Sequence, residues 1–76
     1  MKRRKPKQFV RLMYIHALLR EGSCPTCRVL KERLGVALRT IYRDFAVLRN
    51  QLKAPLEYNA SLRVYQYTIP RWNIFE

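Results

Sequence analysis

Residues 34–52 read LGVALRTIYRDFAVLRNQL, and the spacing of their apolar side chains decides the fold. Gly35 marks a tight turn, and one amphipathic helix is predicted over 38–52. At about 100° per residue, Leu38, Ile41, Phe45, Leu48 and Leu52 fall on one side, three and four residues apart. Arg39, Arg43, Val47 and Asn50 fall on the other, with Tyr42, Arg49 and Lys53 on one flank and Thr40 on the opposite flank. The apolar stripe buries the helix, and the outer face carries two arginines one turn apart. That face has the chemistry to read a DNA major groove. Arg pairs bidentately with guanine O6 and N7, Asn pairs with adenine, and a Thr methyl packs on the thymine methyl. Two arginines on a helix taken alone describe an ordinary solvated face. The flanking sequence decides between the two readings.

Upstream, residues 8–21 predict a first helix whose apolar stripe is Leu12, Ile15, Leu18 and Leu19, with Phe9 one turn before. Gly22 ends it as a left-handed cap. His16 lies beside the stripe without a second ligand at metal spacing, and is read as a structural histidine. Thr26 is the expected N-cap of a second helix running to about residue 34. Val29, Leu30 and Leu34 form its expected buried side, while Arg28, Lys31 and Arg33 face water or phosphate. A helix, a short turn with Gly and a second helix make a helix-turn-helix.

Downstream, Pro55 is incompatible with a continuing helix, and the apolar period changes to two. Leu56 and Tyr58 alternate with Glu57 and Asn59, and residues 64–69 form a β-branched and aromatic run that Pro70 ends. Two antiparallel strands are predicted, joined by a loop of about four residues with Arg63 at its tip or shoulder. The fold class is therefore α+β, mainly α: three helices and a two-stranded hairpin in the position of a wing. Residues 8–70 form the domain. Residues 1–7 are a basic arm in which Arg3 and Arg4 are candidate phosphate or minor-groove contacts. Residues 71–76, with Trp72, Ile74 and Phe75, are an apolar tail that either folds back or meets another chain.

Composition supports a nucleic-acid partner. Sixteen Lys and Arg stand against five acids in 76 residues, a net charge of +11. Such an imbalance repels itself in a compact state unless a polyanion neutralises it. An anionic membrane surface is the alternative polyanion. No run of 18 apolar residues suggests a transmembrane helix, and the basic start lacks a cleavage site for export. The chain is expected in the cytoplasm, associated with the nucleoid, with Cys24 and Cys27 reduced.

With these segments placed, the chain resembles the N-terminal winged helix-turn-helix of DeoR-like regulators that usually carry a WYL domain. Leu34-Gly35-Val36, Arg39-Thr40-Ile41-Tyr42-Arg43-Asp44 and Leu48 match the family's helix motif. Leu56-Glu57-Tyr58 and Val64-Tyr65-Gln66-Tyr67 match its strands, and Arg11-Leu12, Ile15, Leu18-Leu19 and Gly22 match its first helix. The resemblance covers about residues 9–70. It implies a DNA-binding transcriptional regulator, often a dimeric repressor, with DNA contacts from Arg39, Thr40, Tyr42 and Arg43. Three departures stand out. Ala37 replaces the usual N-cap Ser, which costs the helix about 1 kcal/mol and removes a phosphate contact. Leu38 replaces a polar or basic residue, and the wing lacks the usual glycines. The WYL effector domain does not accompany this stretch. A stand-alone regulator, for instance of a phage or mobile element, or one domain of a longer protein is expected, with no small-molecule ligand.

Motifs for other chemistry are thin. Cys24-Pro25-Thr26-Cys27 supplies half of a zinc site, and His16 is distant. The acids Glu21, Glu32, Asp44, Glu57 and Glu76 form no acid/base pair, and Asp44 is read as an orienting partner for a neighbouring Arg. Two glycines make no phosphate loop. The chain is read as a non-enzyme without cofactor or metal, with duplex DNA as partner and the apolar tail as a dimer surface. The competing functions are a protein-interaction module that modulates a nucleic-acid enzyme, and a structure-specific nucleic-acid binder.

Overall fold

The computed structural model describes residues 6–73. Three helices precede a hairpin: α1 (Gln8–Arg20), α2 (Cys27–Leu34), α3 (Leu38–Asn50), β1 (Leu56–Asn59) and β2 (Val64–Tyr67). This is the expected winged helix-turn-helix architecture. Arg3, Arg4, Ile74 and Phe75 lie outside the described residues.

Each helix ends for a local reason. The α1 terminus is a Schellman turn: Ser23 N–H donates to Leu18 O (3.0 Å), Gly22 N–H donates to Leu19 O (3.2 Å), and Gly22 takes φ +71°. Thr26 Oγ1 accepts from Val29 N–H at 3.3 Å and starts α2. At the other end of α2, Gly35 is left-handed (φ +65°), and Val36 N–H donates to Lys31 O. That geometry turns the chain straight into α3. Ala37 occupies the N-cap of α3 in extended backbone and provides no side-chain cap.

The third helix is shorter than the pattern 38–52 indicates. It stops at Asn50, well before Pro55, because Lys53 adopts φ +58° and Ala54 N–H turns back to Leu48 O at 2.9 Å. Leu52 is still half-buried against the core from the turn. The second strand is also shorter than expected. Its first-strand partner begins at Leu56, which pairs with Tyr67, so Thr68 and Ile69 have no strand to pair with. Thr68 N–H instead donates to Pro55 O at 2.7 Å, and Ile69 is exposed. The loop lacks glycine but is built by other means: Asn59 Oδ1 accepts from Leu62 N–H (3.1 Å), and Arg63 takes the left-handed position (φ +59°).

The core sits among the three helices and the inner face of the hairpin. Leu12, Ile15 and Leu19 of α1 meet Leu30 of α2 and Ile41, Phe45 and Leu48 of α3. Tyr65 stacks on Phe45 with ring centroids 4.1 Å apart. Two expected core residues lie outside. Phe9 is 67% exposed and Val29 is 38% exposed, because α2 buries Cys27 and Leu30 instead and the buried run of α1 begins at Leu12, one turn after Phe9. Val47, expected on the outer face, is half-buried against the core.

The tail folds back through Trp72. Its ring meets His16 edge-on (5.9 Å) and Tyr67 (5.3 Å), while His16 Nδ1 and the Tyr67 hydroxyl are hydrogen-bonded at 2.7 Å. Burial lowers the His16 pKa; the Asn73 side chain opposes that shift and the Arg20 charge adds to it. Burial raises the Tyr67 phenol to about 12, with smaller contributions from Cys24 (raising) and Arg20 (lowering). Trp72 is thus part of the domain's own core, and the dimer surface expected from the tail loses its largest side chain.

Candidate nucleic-acid interface

The outer face of α3 is open. Arg39, Tyr42, Arg43, Ala46, Arg49 and Asn50 are exposed, and Thr40 is half-buried on its flank. Arg39 and Arg43, four residues apart, project side by side from one helix face. Asn50 shares that face but lies two turns beyond Arg43, at the last residue of the helix. Ile41, Phe45 and Leu48 hold the opposite side at 2% exposure or less. The cationic face therefore stands on a rigid base, as recognition of a fixed ligand geometry requires.

A buried ion pair sets the rotation of this helix. Asp44 is fully enclosed, and its carboxylate accepts from Arg11 Nε (2.6 Å) and Nη2 (3.1 Å). Arg11 Nη1 donates to Pro6 O at 2.9 Å, so one guanidinium ties the entry of α1 to the middle of α3. The Asp44 hydrogen bond is the main reason the Arg11 pKa is raised; burial opposes it. The expected orienting pair is thus present with a different partner. Arg43, adjacent in sequence, points about 100° away around the helix and cannot serve.

Beside α3 lies a groove of about 400 Å³ between the start of α2, the first half of α3 and the hairpin. Arg28, Leu38, Tyr42, Tyr58, Arg63 and Tyr65 border it. Tyr42 and Tyr58 are each about half exposed, and the Tyr58 and Tyr65 rings pack at 5.0 Å. Arg49 Cζ lies 6.0 Å from the Tyr65 ring centroid, at the outer limit for a cation–π contact. Burial is the first cause of a raised Tyr65 pKa.

The structure therefore brings Arg39, Tyr42 and Arg43 together on one helix, with Arg28 and Arg63 across the groove. Lys31 is separate: it is half-buried and pairs with Glu32 at 3.5 Å. Sequence reasoning missed Tyr58 as a groove wall and Arg11 as the positioning residue. The register Tyr58↔Tyr65 follows from the strand alternation and signalled the first. Nothing local in the sequence signals the second, since its partner is 33 residues away.

Cys24 and Cys27 are free and buried; burial pushes the Cys24 thiol up to about 12 and raises Cys27 as well. Among the described residues no group of three or more His, Cys, Asp or Glu could hold a metal ion, and no helix is long and apolar enough to cross a membrane. None of the protein-family models, curated proteins or solved structures compared with the chain matches it.

Proposed function

We propose that the chain is a sequence-specific double-stranded DNA-binding transcriptional regulator, a repressor of the DeoR-like kind. Helix α3 lies in the major groove, with Arg39 and Arg43 toward base edges and Thr40 and Tyr42 beside them. Arg28 and Arg63 take phosphates on the flanking backbone, and Arg3 and Arg4 add further charge contacts. The observation that carries this reading is the uncovered outer face of α3, which neither the hairpin nor Trp72 occludes. The net charge of +11 supports it.

Selection of bound sequences from a random duplex pool tests the proposal. An enriched motif is expected, with an affinity about 10³-fold or more above random duplex at fixed salt. If six to ten basic groups meet phosphates, affinity falls by about 10³ to 10⁵ between 50 and 200 mM salt. Arg43→Ala should cost about 1–3 kcal/mol and relax preference at one base position. An equal loss on every sequence would reassign Arg43 to the phosphate backbone.

The groove favours one second reading. Two half-exposed tyrosines beside Arg28 and Arg63 also suit stacking of an unpaired base, as single-strand binders do. Competition decides: single-stranded DNA that displaces the selected duplex at equal concentration supports a structure-specific binder.

A further inference from the structure

Helix α1 carries apolar side chains outside its core-facing stripe. Phe9 is 67% exposed, Val10 53% and Tyr14 36%, with Met13 half-buried between them. Phe9 lies about 160° around the helix from Arg11, which reaches across to Asp44 of α3. The apolar face therefore points away from α3, and no residue of α1 borders the groove beside that helix. No acid lies within α1. Glu21 follows it, about 18 Å along the axis from Phe9, and Glu32 of α2 pairs with Lys31 at 3.5 Å. At the rim of the face Arg33 Nη1 donates to the Tyr14 hydroxyl at 3.3 Å.

Cations adjoin this face. Residues 1–7 read MKRRKPK, with Lys2, Arg3, Arg4, Lys5 and Lys7. Lys7 is exposed as the N-cap of α1, and Arg11 Nη1 donates to Pro6 O at 2.9 Å. That bond fixes where the basic stretch meets the helix, directly before Phe9 and Val10.

We infer that the outer face of α1 docks on a membrane surface rich in anionic lipid. Phe9, Val10 and Tyr14 enter the acyl boundary and the basic stretch lies among the headgroups, as in interfacial helices. The pairing of cations with apolar groups selects this occupant. A nucleic-acid backbone would pair with the cations and offer nothing to Phe9 and Val10. A protein partner, acidic or a second copy, needs about 800 Å² per side. At 150–250 Å² for a buried aromatic side chain, this convex face offers roughly half of that. A lipid surface needs neither a matched shape nor that area. Insertion of a few apolar side chains adds to a gain of about fivefold for each Lys or Arg held near an anionic leaflet. Arg39 and Arg43 take no part. They lie about 100–140° around α3 from Asp44, which faces α1, so the candidate DNA face stays clear of the membrane.

Co-sedimentation of the full chain with vesicles in about 0.1 M salt tests this. No DNA is present, so the outcome is separate from that of the DNA-binding reading. Vesicles of phosphatidylglycerol and phosphatidylcholine in equal parts should bind the chain at least about 100-fold more tightly than phosphatidylcholine alone. Any protein of net charge +11 is drawn to anionic lipid, so two variants identify the face. Phe9→Ser/Val10→Ser keeps the charge and should weaken binding at least about tenfold. Arg39→Gln/Arg43→Gln removes two charges and should weaken it less than about threefold, because charges more than about 10 Å from the surface are screened at this salt. Adsorption by bulk charge predicts the opposite order. Both serines replace exposed side chains, and an unchanged circular dichroism spectrum verifies the fold. Val10→Trp should strengthen binding, because Trp settles at the membrane interface. Binding unchanged in the serine variant, or weakened more by loss of the two arginines, overturns the inference. So does a wild-type chain that ignores anionic vesicles, whether it binds polyglutamate or its own copy through Phe9 and Val10 instead.

Discussion

Breaking the Arg11–Asp44 pair from its two ends should give unequal losses, and the inequality follows from burial. The Asp44 side chain has no exposure, whereas Arg11 retains 12%. Arg11→Ala leaves a carboxylate inside the protein with two acceptor oxygens and no donor, the arrangement that costs about 3–5 kcal/mol. Asp44→Ala leaves a guanidinium at the edge of the core, still bonded to Pro6 O and able to swing its head toward water. Its cost is that of a lost charged hydrogen-bond pair, about 2–3 kcal/mol. For 76 residues, total stability of about 0.05–0.15 kcal/mol per residue amounts to about 4–11 kcal/mol. Arg11→Ala therefore removes about a quarter or more of it and lowers Tm by at least about 12 °C, at 4–8 °C per kcal/mol. Urea denaturation followed by circular dichroism measures all three variants, including Arg11→Ala/Asp44→Ala. The double variant should be more stable than Arg11→Ala, because removing the stranded carboxylate removes the penalty. The reverse order of the single variants, or a double variant that simply adds their losses, would refute a buried, coupled pair.

Other consequences can be checked on the same protein. His16 has a pKa lowered mainly by burial among Tyr67, Trp72, Asn73 and Arg20. The unfolded chain then binds a proton that the folded one refuses. Stability should be complete above the unfolded value of 6.5 and should fall as pH drops below it, until the lowered folded pKa is passed. Urea midpoints from pH 8 to about 5.5 should show the slope, and His16→Gln should flatten it. Ala37→Ser restores an N-cap side chain to α3, whose N-cap has none, and should raise stability by about 1 kcal/mol. A thermal melt that does not move would mean the cap is met by solvent. The thiols of Cys24 and Cys27 are buried and shifted upward, so labelling by a thiol reagent at pH 8 should be slow in the native protein and fast in urea. Rapid native labelling would contradict their burial.

Periodicity, turn chemistry and strand alternation carried most of this fold in the open. Gly22, Thr26 and Gly35 mark helix ends because each meets a backbone need that few other residues meet. The misreadings have physical causes. In α1, Phe9 lies one turn before Leu12 on the same broad face, so a three-to-four spacing cannot say at which turn the core begins. Tertiary packing decides, and it leaves Phe9 out. The end of α3 depends on Lys53, a residue with no intrinsic preference for the left-handed region it occupies. The end of β2 depends on where its neighbour strand begins, which is a pairing property and not a property of residues 64–69. The candidate interface divides the same way. Arg39, Tyr42 and Arg43 were legible because they share one helix, whereas the groove beside them is assembled from three elements and becomes visible only in space.

The placement of Asp44 links these observations. It is the only acid in α3, and on the outer face it would stand among Arg39, Arg43 and Arg49 and repel the phosphates they attract. Turned inward and neutralised by Arg11, it leaves that face purely cationic and fixes the rotation that presents it. A neutral apolar residue at position 44 would serve the first purpose through burial alone. The bidentate fork to Arg11 adds direction, because two hydrogen bonds from one planar guanidinium tolerate little rotation of α3 relative to α1. The pair is thus better explained by the aim of the helix than by net stability, for which a buried ion pair is a poor device.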